Sequence, residues 1–369
     1  MKLTIAKEQI TNGLQAVQNI VGTRTTLPIL SNVLLRASGE QVELTATDLD
    51  VTISCGVPAR VERPGAITLP VKRLFSIVRE LSALELELEV DDKNQCSIRA
   101  GGSFFKVYGL PAEDFPPPAK LGERPPVTLP QAKVRAMLRK TSFAVSSDET
   151  RYVLNGIFVS LKEHKLTMVA TDGRRLALTD EEVDATVESQ AEVIVPTKTI
   201  TELNRLLQDK GEVQMAFGEN QGWFRLLNEK GDPILVVSKL VDGAYPNYRQ
   251  VIPAESRERV SLPREELLQA LRRAEIMTSD KNNSVKLSFS RNNLAITANT
   301  PEVGEVRESM ALNYKGADLA VAFNPVFLLD ALKALDNDEV FLELTDELSP
   351  GVLKINGPFL YVIMPMRMN

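Results

Sequence analysis

Residues 166–178 read LTMVATDGRRLAL, an alternating run that reaches an Asp-Gly pair and then continues into a second alternating run. Period-two alternation predicts a half-buried β-strand on each side, and Asp-Gly favours a type I′ hairpin turn between them. Related stretches are VELTATDLDV from residue 42 and LAITANTPEV from residue 294, so the three copies start 124 and 128 residues apart. A strand and turn that recur at this spacing predict a fold built from three similar units.

Two amphipathic helices accompany each copy. The first follows LTIA (3–6), VTLP (127–130) or VSLP (260–263), and we expect Pro130 and Pro263 to lie in the first helical turn, where a missing N–H costs nothing. The second lies in residues 69–81, 195–207 and 323–335, with Asn324 and Pro325 as a favourable N-cap and first residue. Helical spacing predicts that these second helices bury Leu74, Val78, Leu81, Ile200, Leu203, Leu207, Leu328, Leu332 and Leu335.

The repeating order is helix, strands, helix, strands, over about 120 to 130 residues per unit. Residues 111–130 contain seven prolines, which predict an extended linker without regular structure, and residues 246–258 occupy the corresponding place one unit later. The predicted domains are residues 1–122, 123–253 and 254–369, in an α+β fold.

Composition excludes several classes of protein. The 369 residues are 43% hydrophobic and 25% charged, which is typical of a globular chain, and the N-terminus lacks a signal-peptide core, so we expect a cytoplasmic protein with no membrane segment. The two cysteines, Cys55 and Cys96, lie far apart in predicted strands and fit small buried hydrophobes. With His164 as the only histidine, in a predicted turn, neither a Ser/His/Asp triad nor a zinc site of the HExxH type can form.

The aspartates of the repeated turns are the candidate catalytic acids. Asp48 and Asp172 occupy equivalent positions, whereas the third copy has Asn299 and Thr300 there and no carboxylate. Asp and Asn both stabilise tight turns by accepting hydrogen bonds from nearby backbone N–H groups, which favours a structural role over an acid-dependent hydrolase. Gly101, Gly102 and Gly218 lie in predicted hairpins and match no nucleotide-binding pattern.

Basic residues recur on the helices although the net charge of the chain is −6. Each helix alone is typical of a solvated surface, but the recurrence on equivalent elements favours a positive face that contacts phosphates without reading sequence. No aromatic residues interleave with them, which disfavours single-strand stacking. These residues are Lys133, Arg135, Arg139 and Lys140 in one helix, and Lys72, Arg73, Arg79, Lys198, Arg205, Arg272, Arg273 and Lys333 in others.

Several motifs in order along the chain resemble those of bacterial DNA polymerase III beta subunits, the sliding clamps of replication. They are LPILSNVLL (27–35), RYVLNGIFV (151–159), ATDGRRLAL (170–178), SKLVDGAYPNYRQVIP (238–253) and YVIMPMRMN (361–369). The resemblance implies three clamp-type domains with two helices inside and antiparallel sheets outside, closed as a head-to-tail homodimer of six domains around duplex DNA. It also implies a non-catalytic processivity factor without cofactor or metal, whose partners are the polymerase alpha subunit, the clamp loader and other proteins with clamp-binding motifs.

In the family, partner peptides enter a pocket between the second and third domains, where Met side chains adapt to varied apolar groups. The resemblance places that pocket at Thr171, Gly173, Arg174, Arg175, Leu176, Pro246, Val251, Leu348, Val362, Met364, Pro365, Met366 and Arg367. Arginine at position 174 replaces a histidine common in the family, and Gln250 stands where a basic residue is frequent.

The same resemblance implies residues for DNA contact and for ring closure. DNA contacts are expected at Arg24, Lys72, Arg73, Arg151, Tyr152, Lys198 and Arg205. At the dimer interface Phe105 and Val107 are expected to pack against Ile276 and Met277 of the neighbouring subunit, with Arg73 pairing to Glu302 or Glu305. Gly102 stands where some members have an arginine for this interface. Besides the hydrolase, a repeat-built peptide scaffold that never meets DNA remains an alternative.

Overall fold

The computed structural model describes residues 1–22, 27–117, 121–122, 124–301 and 303–367. The fold is α+β with antiparallel sheets, as predicted. The first third contains β1 (Lys2–Ala6), α1 (Lys7–Val17), β2 (Asn32–Ser38), β3 (Gln41–Thr47), β4 (Val51–Pro58), β5 (Arg60–Arg63), β6 (Gly65–Pro70), α2 (Val71–Glu80), β7 (Glu85–Val90), β8 (Gln95–Ala100) and β9 (Ser103–Tyr108).

The other two thirds repeat this order without a counterpart of β5. The second contains β10 (Val127–Pro130), α3 (Gln131–Thr141), β11 (Gly156–Lys162), β12 (Lys165–Thr171), β13 (Arg175–Glu182), β14 (Ala191–Pro196), α4 (Thr197–Leu206), β15 (Glu212–Phe217), β16 (Gln221–Leu227) and β17 (Pro233–Lys239). The third contains β18 (Glu258–Pro263), α5 (Arg264–Glu275), β19 (Val285–Ser290), β20 (Asn293–Thr300), β21 (Gly304–Ala311), β22 (Leu319–Phe323), α6 (Pro325–Ala334), β23 (Glu339–Leu344), β24 (Gly351–Lys354) and β25 (Leu360–Ile363).

Two local predictions were wrong. Pro130 and Pro263 end β10 and β18 and precede their helices instead of lying in the first turn. Residues 111–130 are not wholly irregular, because a short 3₁₀ helix covers Ala112–Asp114 and β10 pairs with β15. Proline is tolerated at these strand ends because β10 and β18 are edge strands that need fewer backbone donors. The predicted cap of α6 is confirmed, since the Asn324 side chain accepts a hydrogen bond from the Val326 N–H.

The chain divides into two compact units. Unit 1 comprises Met1–Arg135, Val183–Ala191 and Lys198–Leu240, and unit 2 comprises Ala136–Glu182, Glu192–Thr197 and Val241–Asn369. Each contains an eight-stranded sheet, β10-β15-β16-β17-β4-β3-β2-β6 in unit 1 and β14-β11-β12-β13-β25-β24-β23-β18 in unit 2. These sheets combine strands from successive thirds, because β17 pairs with β4 and β25 pairs with β13.

A smaller sheet completes each unit. It has the order β5-β1-β7-β8-β9 in unit 1 and β21-β20-β19-β22 in unit 2. The helices cover the sheets with their apolar faces, and all nine residues predicted for the buried faces of the second helices are buried. Cys55 and Cys96 are also buried, which raises the pKa of both thiols to about 12 and confirms their role as small core residues. Among the described residues no helix is long and apolar enough to cross a membrane.

The first residue of each first helix performs the same structural task in all three copies. The backbone N–H of Lys7, Gln131 and Arg264 donates to the carbonyl of a residue just beyond the second helix, at 2.8, 2.9 and 2.8 Å. The side chains of Lys7 and Arg264 donate to carbonyls at the end of that helix, and Gln131 accepts from the Gln208 N–H after α4. Backbone groups that a helix end leaves unpaired are thereby satisfied.

Candidate peptide pocket and nucleic-acid surfaces

The turn after β12 is held by its own side chains. Asp172 Oδ1 accepts hydrogen bonds from the N–H groups of Arg174 and Arg175, at 2.9 and 3.1 Å. Thr171 Oγ1 donates to the Arg175 carbonyl and accepts from the Gly173 N–H, at 2.6 and 3.1 Å. Gly173 has φ +87°, a left-handed conformation that glycine adopts without steric cost.

The prediction of a type I′ turn here was wrong. That turn needs positive φ at two successive central residues, and in this loop only Gly173 has it. The neighbouring hairpin between β11 and β12 has two such residues, Glu163 and His164, with φ of 51° and 60°. A third loop residue and the Asp172 and Thr171 hydrogen bonds give the Asp-Gly turn its different shape.

The equivalent turn of the first copy has the same hydrogen bonds. Asp48 Oδ1 accepts from the N–H groups of Asp50 and Val51, at 3.1 and 2.8 Å. Thr47 Oγ1 donates to the Val51 carbonyl and accepts from the Leu49 N–H. The structural interpretation of Asp48 and Asp172 is therefore confirmed, because both carboxylates are occupied by backbone donors of their own turns.

Arg175 lies behind the turn and not on its surface. Its side chain is only 10% exposed. The guanidinium donates to Asp172 at 3.0 Å, to Asp330 of α6 at 2.7 Å and to the Phe143 carbonyl at 2.7 Å. It also lies over the ring of Phe327, 4.5 Å from the centroid. The resemblance placed this residue in the pocket wall, and the structure shows it as a buried link between three elements.

An apolar floor lies on the strands beside the turn. Val169, Leu176 and Val362 are buried neighbours on β12, β13 and β25. Leu176 and Val362 were assigned from the resemblance, whereas Val169 was not. The sequence also gave no assignment for six partly buried residues that pack on this floor, Phe158, Leu178, Tyr245, Tyr248, Ile252 and Leu360. Alternation along the strands could have indicated Val169 and Leu178, because they share a face with the assigned residues.

Tyr245 fixes the segment that covers this floor. Its ring stacks on Phe158 with centroids 5.0 Å apart, and its hydroxyl donates to the Val169 carbonyl at 3.5 Å. Burial raises the pKa of this phenol, so the hydroxyl stays protonated and remains a donor at neutral pH. Pro246 and Val251 in the same segment are exposed.

Strand register brings three chain segments to one end of the sheet. Ile363 pairs with Arg175 on one side and with Gly351 on the other. The turn at 172–174, the loop at 345–350 and the tail from residue 364 therefore all begin at that end. The Met364 N–H donates to the Arg174 carbonyl at 3.0 Å, which ties the tail to the turn.

The rim of the floor is apolar and accessible. Leu348 is 70% exposed and Met364 is 44% exposed, while Gly173, Arg174 and Arg367 are exposed beside them along the chain. The Met366 N–H donates to the Ala322 carbonyl at 2.8 Å, and Pro365 and Met366 are half-buried. The tail is thus held by backbone hydrogen bonds up to Met366, which argues against a frayed terminus.

The first copy lacks an equivalent apolar floor. Its strands carry Thr52 at the register position of Leu176, and Thr45 and Ser54 at those of Val169 and Leu178. These hydroxyls pair with one another, Thr45 with Ser54 at 2.9 Å and Thr52 with Thr47 at 2.8 Å. They border a cavity of about 150 Å³. An apolar peptide anchor would find polar side chains there.

The residues expected to contact DNA have different surroundings. Lys72 and Arg73 on α2 are exposed, as are Arg151 and Tyr152 in the 3₁₀ helix Glu149–Leu154. Arg24 lies outside the described residues.

Two of the expected DNA contacts are occupied within unit 1. Arg205 donates to the Gln15 and Ala16 carbonyls near the end of α1, at 2.9 and 2.7 Å, and pairs with Glu202. Lys198 pairs with Asp48. Arg205 therefore serves as a link between α4 and α1, and its donors are largely used before any phosphate approaches.

Two sheet edges carry the residues expected at a subunit interface. Phe105 on β9 is 38% exposed, but Val107 is 5% exposed because its side chain points into the core. Phe104 and Tyr108, which were not assigned, are more exposed than Phe105. In unit 2 Ile276 is 72% exposed, Met277 is half-buried and Glu305 on β21 is exposed; Glu302 lies outside the described residues.

Comparison with known proteins matches the whole chain. The family model for the N-terminal domain of the DNA polymerase III beta subunit matches residues 1–119, that for the central domain residues 128–247, and that for the C-terminal domain residues 249–367. Beta sliding clamps of Chlamydia pneumoniae and Bacillus subtilis (strain 168) are 36% and 32% identical to it, with 100% of both sequences covered. Crystal structures of the Bacillus subtilis DNA polymerase sliding clamp and of Pseudomonas aeruginosa DNA polymerase III subunit beta have TM-scores of 0.94 at 31% and 35% identity, again with 100% of both chains covered.

Three copies of one helix-and-sheet unit, with turn-forming carboxylates in place of catalytic ones, define a sliding clamp and not an enzyme. The chain belongs to the DNA polymerase III beta subunit family. Its function is that of a replicative clamp, a processivity factor without chemistry of its own.

Proposed function

We propose that two copies of this chain close head to tail into a ring around duplex DNA, and that the floor of unit 2 binds peptides of the replication proteins the ring carries. Processivity then follows from topology, because a closed ring cannot leave an intact circle of DNA. The expected partners are the polymerase alpha subunit, the clamp loader and other proteins with clamp-binding motifs, all in the cytoplasm.

The observation that carries ring closure is the pair of unlike sheet edges. β9 is the outermost strand of the five-stranded sheet and exposes Phe104, Phe105 and Tyr108. β21 is the outermost strand of the four-stranded sheet, and Glu305 and Arg307 are exposed on it. An open edge is a template for pairing with another chain. Pairing β9 of one copy with β21 of the other joins unlike surfaces, and such heterologous contacts close into a ring when repeated.

Charge on the helices supports DNA inside the ring. α3 carries four basic residues and no acidic one, in a chain of net charge −6. On α2, Lys72 and Arg73 are exposed. Contacts between such side chains and phosphates are independent of sequence and permit sliding. An acidic exterior would at the same time disfavour binding of DNA elsewhere.

The apolar floor supports peptide binding at one site in each copy of the chain. Leu176 and Val362 are framed by exposed Leu348, Val251 and Met364, so an apolar side chain can be covered on several sides. Methionine adapts its shape to different partners. The hydroxyl-lined counterpart in unit 1 explains why the repeat produces one such site in each chain.

Ring closure is tested by light scattering coupled to gel filtration, followed by loading onto nicked circular DNA. We expect a dimer that stays with the circle through gel filtration and dissociates when a restriction enzyme linearises it. A stable monomer at micromolar concentration argues against the ring. Retention on linear DNA with free ends argues against a topological link and favours ordinary DNA binding.

Peptide binding is tested with a fluorescently labelled peptide copied from the clamp-binding segment of a bacterial polymerase III alpha subunit. Replacing Met364 and Met366 by alanine should weaken binding by about 1 to 3 kcal/mol, as for other anchor contacts. Met215→Ala, a buried methionine on β15 of unit 1, is the matched control. Unchanged affinity in the tail variant would remove Met364 and Met366 from the site.

A further inference from the structure

Arg175 occupies a position from which it organises the pocket without facing it. Three of its nitrogens donate to three different elements: Nε to Asp172 in the turn, Nη1 to Asp330 on α6, and Nη2 to the carbonyl of Phe143 after α3. The planar guanidinium is suited to this task because its donors point in fixed directions, whereas a lysine ammonium is a single point charge.

Aromatic rings enclose the same guanidinium. Its central carbon lies 4.5 Å from the Phe327 ring centroid and 5.7 Å from that of Phe143. Phe143 in turn packs edge-on against Tyr361, whose hydroxyl donates to the Phe327 carbonyl at 3.0 Å. A cation enclosed in this way exchanges water for carboxylates and ring faces, and removing one acceptor leaves part of its charge unpaired.

A short chain of contacts leads from Arg175 to the pocket rim. Asp172 receives the guanidinium through Oδ2 and the backbone of the turn through Oδ1, so its position sets the path of Gly173 and Arg174. The Arg174 carbonyl then accepts the Met364 N–H. A shift of Asp172 is therefore passed on to Met364 at the rim.

We propose that Arg175 is a positioning residue of the peptide pocket, and that Asp330 on α6 anchors it so that the turn and the tail keep their binding geometry. In this arrangement Asp330 governs peptide affinity although it lies on a helix and forms no part of the apolar floor. The proposal rests on the proposed peptide binding and adds which buried groups control it.

The chain offers a matched control in its own repeat. α4 (Thr197–Leu206) and α6 (Pro325–Ala334) are equivalent ten-residue helices, and Glu202 stands at the position of Asp330. Glu202 also pairs with an arginine, since Arg205 donates to it at 2.6 Å, but this pair lies in unit 1. Asp330→Asn and Glu202→Gln thus remove one charge from equivalent arginine pairs, only one of which supports the pocket.

The experiment measures the affinity of the labelled polymerase peptide for the full-length protein and its Asp330→Asn, Arg175→Lys, double and Glu202→Gln variants. We expect each single change at 175 or 330 to weaken binding by roughly ten-fold, the double variant to be little worse than either, and Glu202→Gln to stay within about two-fold of the parent. Hydrogen exchange of residues 171–176 without peptide is the second readout, and it should be faster in Asp330→Asn than in Glu202→Gln.

Two results would overturn the proposal. If Arg175→Lys weakens binding while Asp330→Asn binds like the parent, then Arg175 acts by touching the peptide. If Asp330→Asn leaves both affinity and exchange of the turn unchanged, the link to α6 has no effect on the pocket. Failure of the parent protein to bind peptide counts instead against the proposed function, and the exchange measurement still decides whether Asp330 holds the turn.

Discussion

Leu176→Thr converts the pocket floor of unit 2 into the residue that the first copy carries, because Leu176 and Thr52 occupy the same register position. The change removes two buried carbon atoms, which costs about 2 kcal/mol of folding free energy at about 0.8 kcal/mol per carbon plus a cavity contribution. The new hydroxyl has a partner, since residue 176 lies opposite Thr171 as Thr52 lies opposite Thr47, to which it is hydrogen-bonded at 2.8 Å. The variant should therefore fold.

Peptide affinity should fall much more than folding suffers, because an apolar anchor would meet a hydroxyl in place of the Leu176 side chain. We expect at least roughly ten-fold weaker binding by fluorescence anisotropy, equal to about 1.4 kcal/mol. Leu226→Thr, an equally buried leucine of β16 in unit 1, should lower thermal stability and leave affinity unchanged. Parent-like affinity in a folded Leu176→Thr protein would refute the assignment of the floor.

Three further changes test other surfaces. Gly173→Ala forces alanine into φ +87° and brings its Cβ to 2.9 Å from Arg151 Nη1, so peptide binding should weaken; Gly39→Ala, at φ +58° with open space around it, is the control, and equal affinities would exclude a role for the turn. Ile276→Asp should yield monomers in light scattering because it places a charge on a 72% exposed interface residue, whereas the exposed Val187→Asp should remain dimeric; an intact Ile276→Asp dimer would contradict the proposed edge. Replacing Lys72 and Arg73 by alanine should reduce the salt dependence of duplex binding by about two phosphate contacts, more than the same change at Lys162 and Lys165 of the β11–β12 hairpin; equal slopes would remove α2 from the DNA surface.

Much of the fold was predictable from periodicity. The helical spacing of Leu74, Val78 and Leu81 identified a buried face, and the alternating runs identified strands, because solvent selects side chains in the same period as the backbone turns them. The errors occurred where local preference was overridden. Pro130 and Pro263 are compatible with a first helical turn, but tertiary pairing extends β10 and β18 through them.

The candidate site was predictable only in part. Exposed residues such as Met364 and Leu348 came from the resemblance and lie at the sheet end where the turn lies. The roles of Arg175 and Arg205 could not be assigned in this way, because an arginine on a phosphate or a peptide and one that links buried elements look the same in sequence. Only the carboxylates and carbonyls around each guanidinium distinguish the two.

The sequence by itself determined the threefold repeat, the buried faces and the turn chemistry of Asp48 and Asp172, since each depends on residues close together in the chain. Tertiary structure alone decided which strands of successive thirds share a sheet, how Lys7, Gln131 and Arg264 reach the same carbonyl positions with different side chains, and where the Arg175 guanidinium is buried. These features depend on groups up to 155 residues apart, such as Arg175 and Asp330, and spacing along the chain carries no information about such contacts.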